Sequence, residues 1–358
     1  MTTFTNHKIK FIIIFILSCG TLTIVLISNE NLRGILSANF LELKSTLSMN
    51  SPLVNSGGKP SKWKKNKLVI IPAIFKEINW ADHSSWPLWL RKGLDLFNKN
   101  NSRSYDIHLY QRLDPDSKPP YNWPYCHNVH EEAGVYLKFI SDYYYDLPDK
   151  MLFIHARPEH HSLYPIDAVQ CIRDDVAYTS VNDIWLQERP WGAGLRDPTD
   201  NLTLMYKCAR RLLTLFGFNG EAQLSPDYSI STNYSVISAM CCAQFYVRKE
   251  RIRHYTYAQW SSVYNASLQP YCTTSRDREL PGRPGIKWFG GGFELIWHII
   301  LGLEPANMPP PRAKTNTDLC HLFRPSCKGS LCGNGIIKFL THSKPSKTNH
   351  TSVNTTLL

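Results

Sequence analysis

The chain has 358 residues, 12% aromatic and only 19% charged, a composition that excludes a disordered polymer and is enough for one large core. Its formal charge of +11 is concentrated outside the expected body. Five lysines fall within Lys59–Lys67, Lys338, Lys344 and Lys347 lie near the carboxyl end, and no nucleic-acid-binding motif is present, so nucleic acid is excluded as a partner.

Residues 1–10 carry Lys8 and Lys10 and read as a cytoplasmic tail. Phe11 to Ser28 is uncharged and mostly apolar, long enough to span a bilayer as a helix. The lysines before it favour a signal anchor with a lumenal or extracellular body, a type II topology; the alternative is a cleaved signal peptide. Residues 29–66, with Ser56-Gly57-Gly58 and Pro60, read as a stem. Six Asn-x-Ser/Thr sites, at Asn100, Asn201, Asn233, Asn265, Asn349 and Asn354, agree with a secretory location. Nine cysteines outside the span should be mostly paired there, at least one being left over. Cys320, Cys327 and Cys332 are expected in disulfides, whereas the adjacent Cys241 and Cys242 should each bond elsewhere.

The body, residues 67–302, opens with the buried-strand signal Leu68–Ile71. Apolar positions at helical spacing follow over Trp86–Phe97, then strand-like alternation over Tyr105–Tyr110. Asn128 and Glu131 have capping-box spacing, and Val129, Ala133, Tyr136, Leu137, Ile140 and Tyr144 form one helical face that should stop before Pro148. Met151–Ile154 then reads as a buried parallel strand. Asn182–Pro198 is expected to be a long loop, Leu202–Phe216 a helix, Ala243–Val247 a strand and Lys249–Tyr264 a helix. A last apolar helix is expected after Gly290-Gly291-Gly292. Residues 303–340 form a Cys/Pro-rich extension, and 341–358 have a disordered-tail composition. The fold class is α/β, a mainly parallel sheet with crossover helices.

Ligands of such sheets bind at the carboxyl edge of the strands, which is where the strand Met151–Ile154 delivers His155, Arg157, Glu159, His160 and His161. Glu132 interrupts the apolar stripe of the preceding helix. It is either a general base or substrate ligand, or an exposed first-turn acid favoured by the helix dipole. His155, with His160 or His161 a few residues on, is a candidate to polarise a hydroxyl or bind phosphate, the bland alternative being a satisfied edge histidine and solvated neighbours, and Arg157 is a candidate to clasp a diphosphate. Glu294 and His298, one turn apart, are a candidate base and partner or a buried structural pair. Asp174-Asp175 stands nearest the expected place of a metal-binding acid, with Asp175 the candidate ligand and solvated surface the bland alternative.

Three blocks, NVHEEAGVYLKFISDYYYDLPDKMLFIHARPEHH, CCAQFYVRKERI and FELIWHIILG, resemble in order and spacing the eukaryotic family called domain of unknown function 3431. The resemblance runs from about Leu68 to Gly302. His160 stands where the family usually has Trp, and the loop around Trp191 matches poorly. More distantly, the arrangement looks like glycosyltransferases of the nucleotide-diphospho-sugar (GT-A, Rossmann-like) type. That likeness implies a type II Golgi or endoplasmic-reticulum membrane protein, the cell surface being a further location. It would transfer sugar from a nucleotide sugar to a glycan acceptor, with Mn²⁺ or Mg²⁺ as cofactor. Glu132, His155, His161 and Glu294 would be catalytic, and Arg157, Tyr136 and His298 substrate-binding. The alternative is a catalytically silent lumenal carbohydrate-binding or scaffold protein; a metal-dependent hydrolase comes third.

Overall fold

The computed structural model describes residues 12–18, 21–27, 61–94, 104–114, 117–188, 201–224, 237–268, 272, 287–312 and 317–332. The chain divides into two compact units, residues 1–60 and 61–358. In the first, Ile12–Ser18 and Thr21–Ile27 pair as antiparallel strands rather than forming the expected helix. Ile, Val, Thr and Phe dominate this run, and their branched or aromatic side chains suit a pleated strand. No helix among the described residues is long and apolar enough to cross a membrane.

The second unit holds a five-stranded sheet. In chain order its strands are β1 (Leu68–Ala73), β2 (Tyr105–Ile107), β3 (Lys150–His155), β4 (Tyr178–Ser180) and β5 (Phe245–Arg248), arranged β2-β1-β3-β5-β4. β1 runs parallel to both β2 and β3, while β5 is antiparallel to β3 and to β4. Four strands therefore point one way and β5 alone is reversed. β1 and β3 are the long apolar strands, and Met151, Leu152, Phe153 and Ile154 have no exposed surface at all.

Helices cover both faces, as a sheet apolar on both sides requires. Alternate residues Val69, Ile71, Met151, Phe153, Phe245 and Val247 face α2 (Glu131–Tyr143), α4 (Asn201–Leu215), α5 (Tyr257–Ser267) and α6 (Lys287–Gly302). Leu68, Ile70, Leu152, Ile154 and Tyr246 face α1 (Leu88–Leu94), α3 (Pro165–Cys171) and the apolar cluster Leu319, Leu322 and Phe323. The carboxyl extension is thus part of the core, and the Cys171–Cys327 disulfide ties it to α3. The stem likewise ends earlier than expected. Ser61 already donates to Asp146 at 2.5 Å, and the Trp63 indole donates to the Asp146 carbonyl at 2.6 Å.

Several local expectations change. Asn128 does not cap α2; its amide donates to Asp114 at 3.1 Å, and the chain enters the helix through His130 and Glu131 in left-handed conformation (φ 55° and 54°). The stretch 249–264 is two helices, because Thr256 starts a new one with a capping box to Gln259. Within the expected loop 182–198, Trp185–Glu188 is a strand paired with Ile237–Met240; Trp191 lies outside the described residues, as do residues 1–10, most of the stem and the tail from 333. Cys208 pairs with Cys272 and Cys320 with Cys332, leaving Cys126 free and buried. Cys241 and Cys242 bond each other, contrary to expectation, and Cys242 takes the positive φ of 74° that brings adjacent thiols together.

Candidate functional site

Ile154 is the last fully buried residue of β3, and His155 is where the strand meets the partly accessible carboxyl edge. In the first turn of α2, Glu132 stands on the side facing this edge. The two residues meet, the Nδ1 of His155 lying 2.9 Å from Oε1 of Glu132. An ionised carboxylate can only accept, so Nδ1 is the donor, and in the tautomer this selects Nε2 is the nitrogen that carries the lone pair. That Nε2 is buried and has no hydrogen-bond partner among the described residues. His161 stacks on His155 with ring centres 4.3 Å apart, and its Nδ1 is likewise buried and unpartnered. Burial, and then the neighbouring His155, hold His161 below the usual histidine range.

Three carboxylates converge beside this pair. One ligand oxygen each from Glu131, Glu132 and Glu294 lies within 4.8 Å of the others. The approach depends on Gly290, where a β-carbon would stand 2.8 Å from the carbonyl oxygen of His130. Only a glycine lets the start of α6 lie against the start of α2. Burial, followed by the charges of Glu132 and Glu131, pushes Glu294 up to about 7. Burial acts on Glu132 as well, but the hydrogen bond and charge of His155, a backbone bond and Arg112 outweigh it and hold Glu132 below the ordinary carboxylate range. One acid is kept ionised and its neighbour half-protonated near neutrality, the pattern of a divided acid–base pair. Three clustered carboxylates are also a hard-oxygen donor set that fits Mg²⁺ or Mn²⁺.

Behind the histidines stands a polar frame the sequence reading missed. Gln244 is fully buried; its Oε1 accepts from the backbone N–H of His155 at 3.2 Å. Its amide donates to the Pro158 carbonyl at 3.2 Å and to Asn182 at 3.1 Å. Asn182, 1% exposed, donates in turn to the Gln244 carbonyl at 3.0 Å and to the Cys241 carbonyl. The backbone of Asp183 donates to the His161 carbonyl at 2.8 Å. His155 and the turn to His161 are therefore pinned by the residue preceding β5 and by the segment after β4. The sequence hints only that Gln244, the one polar residue of the run Ala243–Val247, needs partners if buried; it does not say which.

The remaining candidates fall elsewhere. Tyr136 is fully buried and its hydroxyl donates to the Ala243 carbonyl at 2.8 Å, so it supports the core beneath the site. His298 is buried a turn beyond Glu294, its Nε2 3.3 Å from the Ala306 carbonyl, in a small pocket with Thr179, Glu304 and Met308. Burial lowers it to about 4, so it is neutral there. Arg157 is exposed and reaches the Glu77 carbonyl at 3.5 Å. Asp175 is exposed and gripped by Arg173 at 2.9 Å, and Asp174 by Lys150 at 2.6 Å, outside the carboxylate cluster.

The family model described as "Protein of unknown function (DUF3431)" matches residues 86–182, a span holding Glu131, Glu132, His155, His161 and Asn182 but not Gln244 or Glu294. No curated protein and no solved structure matches the chain.

Proposed function

We propose, for a chain whose residues 86–182 belong to the DUF3431 family, that the site transfers a sugar from a nucleotide-sugar donor to a hydroxyl of a glycan acceptor. The observation that carries this reading is the Glu132–His155 contact of 2.9 Å with Nε2 of His155 left unpartnered at the sheet edge. Glu132 fixes the tautomer and steadies the imidazolium that forms when Nε2 takes the proton of an attacking hydroxyl. Without a cation Glu294 is pushed up to about 7 by burial and its acidic neighbours, so it would join the ligand set by releasing a proton. Glu131, Glu132 and Glu294 would hold a divalent cation, which supplies neutralisation of the charge developing on a diphosphate leaving group.

The same reading makes the chain a type II protein of the Golgi or endoplasmic reticulum, anchored by the apolar run Phe11–Ser28. In lipid an open two-stranded hairpin would leave its edge N–H and C=O groups unpaired, so the run would cross as a helix.

The test is turnover of a panel of nucleotide sugars by the purified lumenal part, in Mn²⁺, with Glu132→Gln and His155→Ala compared with the parent. Losing general-base assistance should cost about 10²–10⁴-fold in rate, with little change in melting temperature. Unchanged turnover in both variants would overturn the reading. Loss of folding in both would return the pair to a structural role.

A further inference from the structure

A cleft of about 280 Å³ opens beyond the carboxyl end of β1, between residues 74–80 on one side and residues 110–114 and 117–121 on the other. Its wall combines aromatic rings, Phe75, Trp80 and Tyr121, with two cations, Lys76 and Arg112. Trp80 is itself braced edge-on by Trp86 and Trp123 at 5.3 and 5.1 Å, so its ring is a rigid platform. Tyr121 is 46% exposed, and Gln111 orients it by accepting its backbone N–H at 2.9 Å and donating to its carbonyl at 2.8 Å.

Arg112 makes no ion pair among the described residues, and its buried Nε has no hydrogen-bond partner. Its guanidinium lies 5.9 Å from the centre of the Phe75 ring. Lys76 touches Asp114 at 3.3 Å, but both side chains are largely solvated, so that pair is easily exchanged for a stronger anion. The cleft begins at Ile74, the residue after Ala73, which pairs with His155 across β1 and β3, so it opens at the same sheet edge as the site. A fork-shaped cation with a spare buried N–H suits bidentate capture of phosphate oxygens, and braced aromatic faces suit a flat ring.

We propose that this cleft binds a nucleoside diphosphate, its base against Trp80 and Tyr121 and its phosphates on Arg112 and Lys76, with the far end of the ligand directed at Glu132 and His155. The assignment rests on the transfer reading above and names the pocket for its donor. Asp114 at the cleft mouth then acts as a gate charge released from Lys76 when the diphosphate enters.

Calorimetric titration of the purified protein in millimolar Mg²⁺ tests it, with uridine diphosphate, guanosine diphosphate, uridine and inorganic pyrophosphate as probes. A nucleoside diphosphate should bind at least tenfold more tightly than either uridine or pyrophosphate. Arg112→Ala should weaken diphosphate and pyrophosphate binding at least tenfold and leave uridine nearly unchanged, Arg112→Lys should lie between, and Trp80→Ala should weaken the nucleosides but not pyrophosphate. Lys76→Ala, at an exposed residue, guards against a folding defect in the Arg112 variants and should weaken the diphosphates several-fold.

Absence of binding by every probe overturns the proposal. So does binding that is indifferent to Arg112, Lys76 and Trp80, or pyrophosphate binding as tightly as the diphosphates. If binding follows the cleft residues while Glu132→Gln and His155→Ala leave turnover intact, the pocket stands and the transfer chemistry falls. If turnover needs Glu132 but binding ignores Arg112, the reverse holds.

Discussion

Glu294 is the residue whose chemistry depends most on where the fold puts it. In the unfolded chain its carboxyl titrates at 4.5; in the fold, burial and two neighbouring carboxylates raise it to about 7. Between those values the folded state keeps a proton that the unfolded state has released. Stability from this group therefore falls as pH rises across the window and levels off above it. A shift of that size corresponds to about 3 kcal/mol. Glu294→Gln, which mimics the neutral acid, should thus be more stable than the parent at pH 8 by up to that amount and nearly equal to it at pH 4. Melting curves in chelated buffer decide this, and the difference between variants cancels the similar shift of Glu304. An equal effect at both pH values would show that Glu294 is not held neutral. At this scale Glu132 and His155 were legible, because a short connection joins their helix to their strand and brings both ends to one edge. Gln244 was not, since its partners come from the 158 and 182 regions, and no local periodicity reports a hydrogen bond across 89 residues.

At the scale of the element, the apolar runs of β1 and β3 were legible because strands buried on both faces leave no polar alternation. The glycine triplet was misleading. Glycine lowers helix propensity, so Gly290-Gly291-Gly292 reads as a break, yet α6 runs through it from Lys287. What the glycines supply is proximity: β-carbons at Gly290, Gly291 and Gly292 would stand 2.8 Å from the His130 carbonyl oxygen, 2.4 Å from Met205 Cε and 3.3 Å from the Ala209 nitrogen. Tertiary packing outweighs propensity here. Gly290→Ala makes the competition measurable. Propensity alone favours alanine by about 1 kcal/mol, whereas driving a methyl against a backbone carbonyl costs about 1–3 kcal/mol. The variant should melt lower than the parent, and the parting of α6 from α2 should also weaken any gain in melting temperature that Mn²⁺ gives. A variant that melts higher would mean that the contact relaxes freely and that the glycine is not what seats Glu294 beside Glu131 and Glu132.

For the whole molecule, the mainly parallel sheet and its crossover helices follow from the alternation of strand and helix signals, while the strand order and the reversal of β5 do not, because an apolar run names neither its neighbour nor its direction. The carboxyl extension was set apart in sequence by its prolines and cysteines; in the fold it closes one face of the sheet through Phe323 and the Cys171–Cys327 bond. Four disulfides among the described residues suit a body that matures in an oxidising compartment. That inference joins the lysines before Phe11–Ser28 and the sequons to give one prediction about placement. Asn265 is exposed on α5, so a glycan there meets no packed surface. Expressed in a eukaryotic cell, the full chain should resist alkaline extraction from membranes. It should also migrate faster after an amide-cleaving glycosidase, with a smaller shift when Asn265 is replaced by Gln. If the body instead faced the cytosol, no sequon could be used and its cysteines would be kept reduced. Mobility unchanged by the glycosidase, together with alkylation of more than Cys19 and Cys126 in the denatured, unreduced protein, would place the body on the cytosolic side and remove the lumenal glycan as its acceptor.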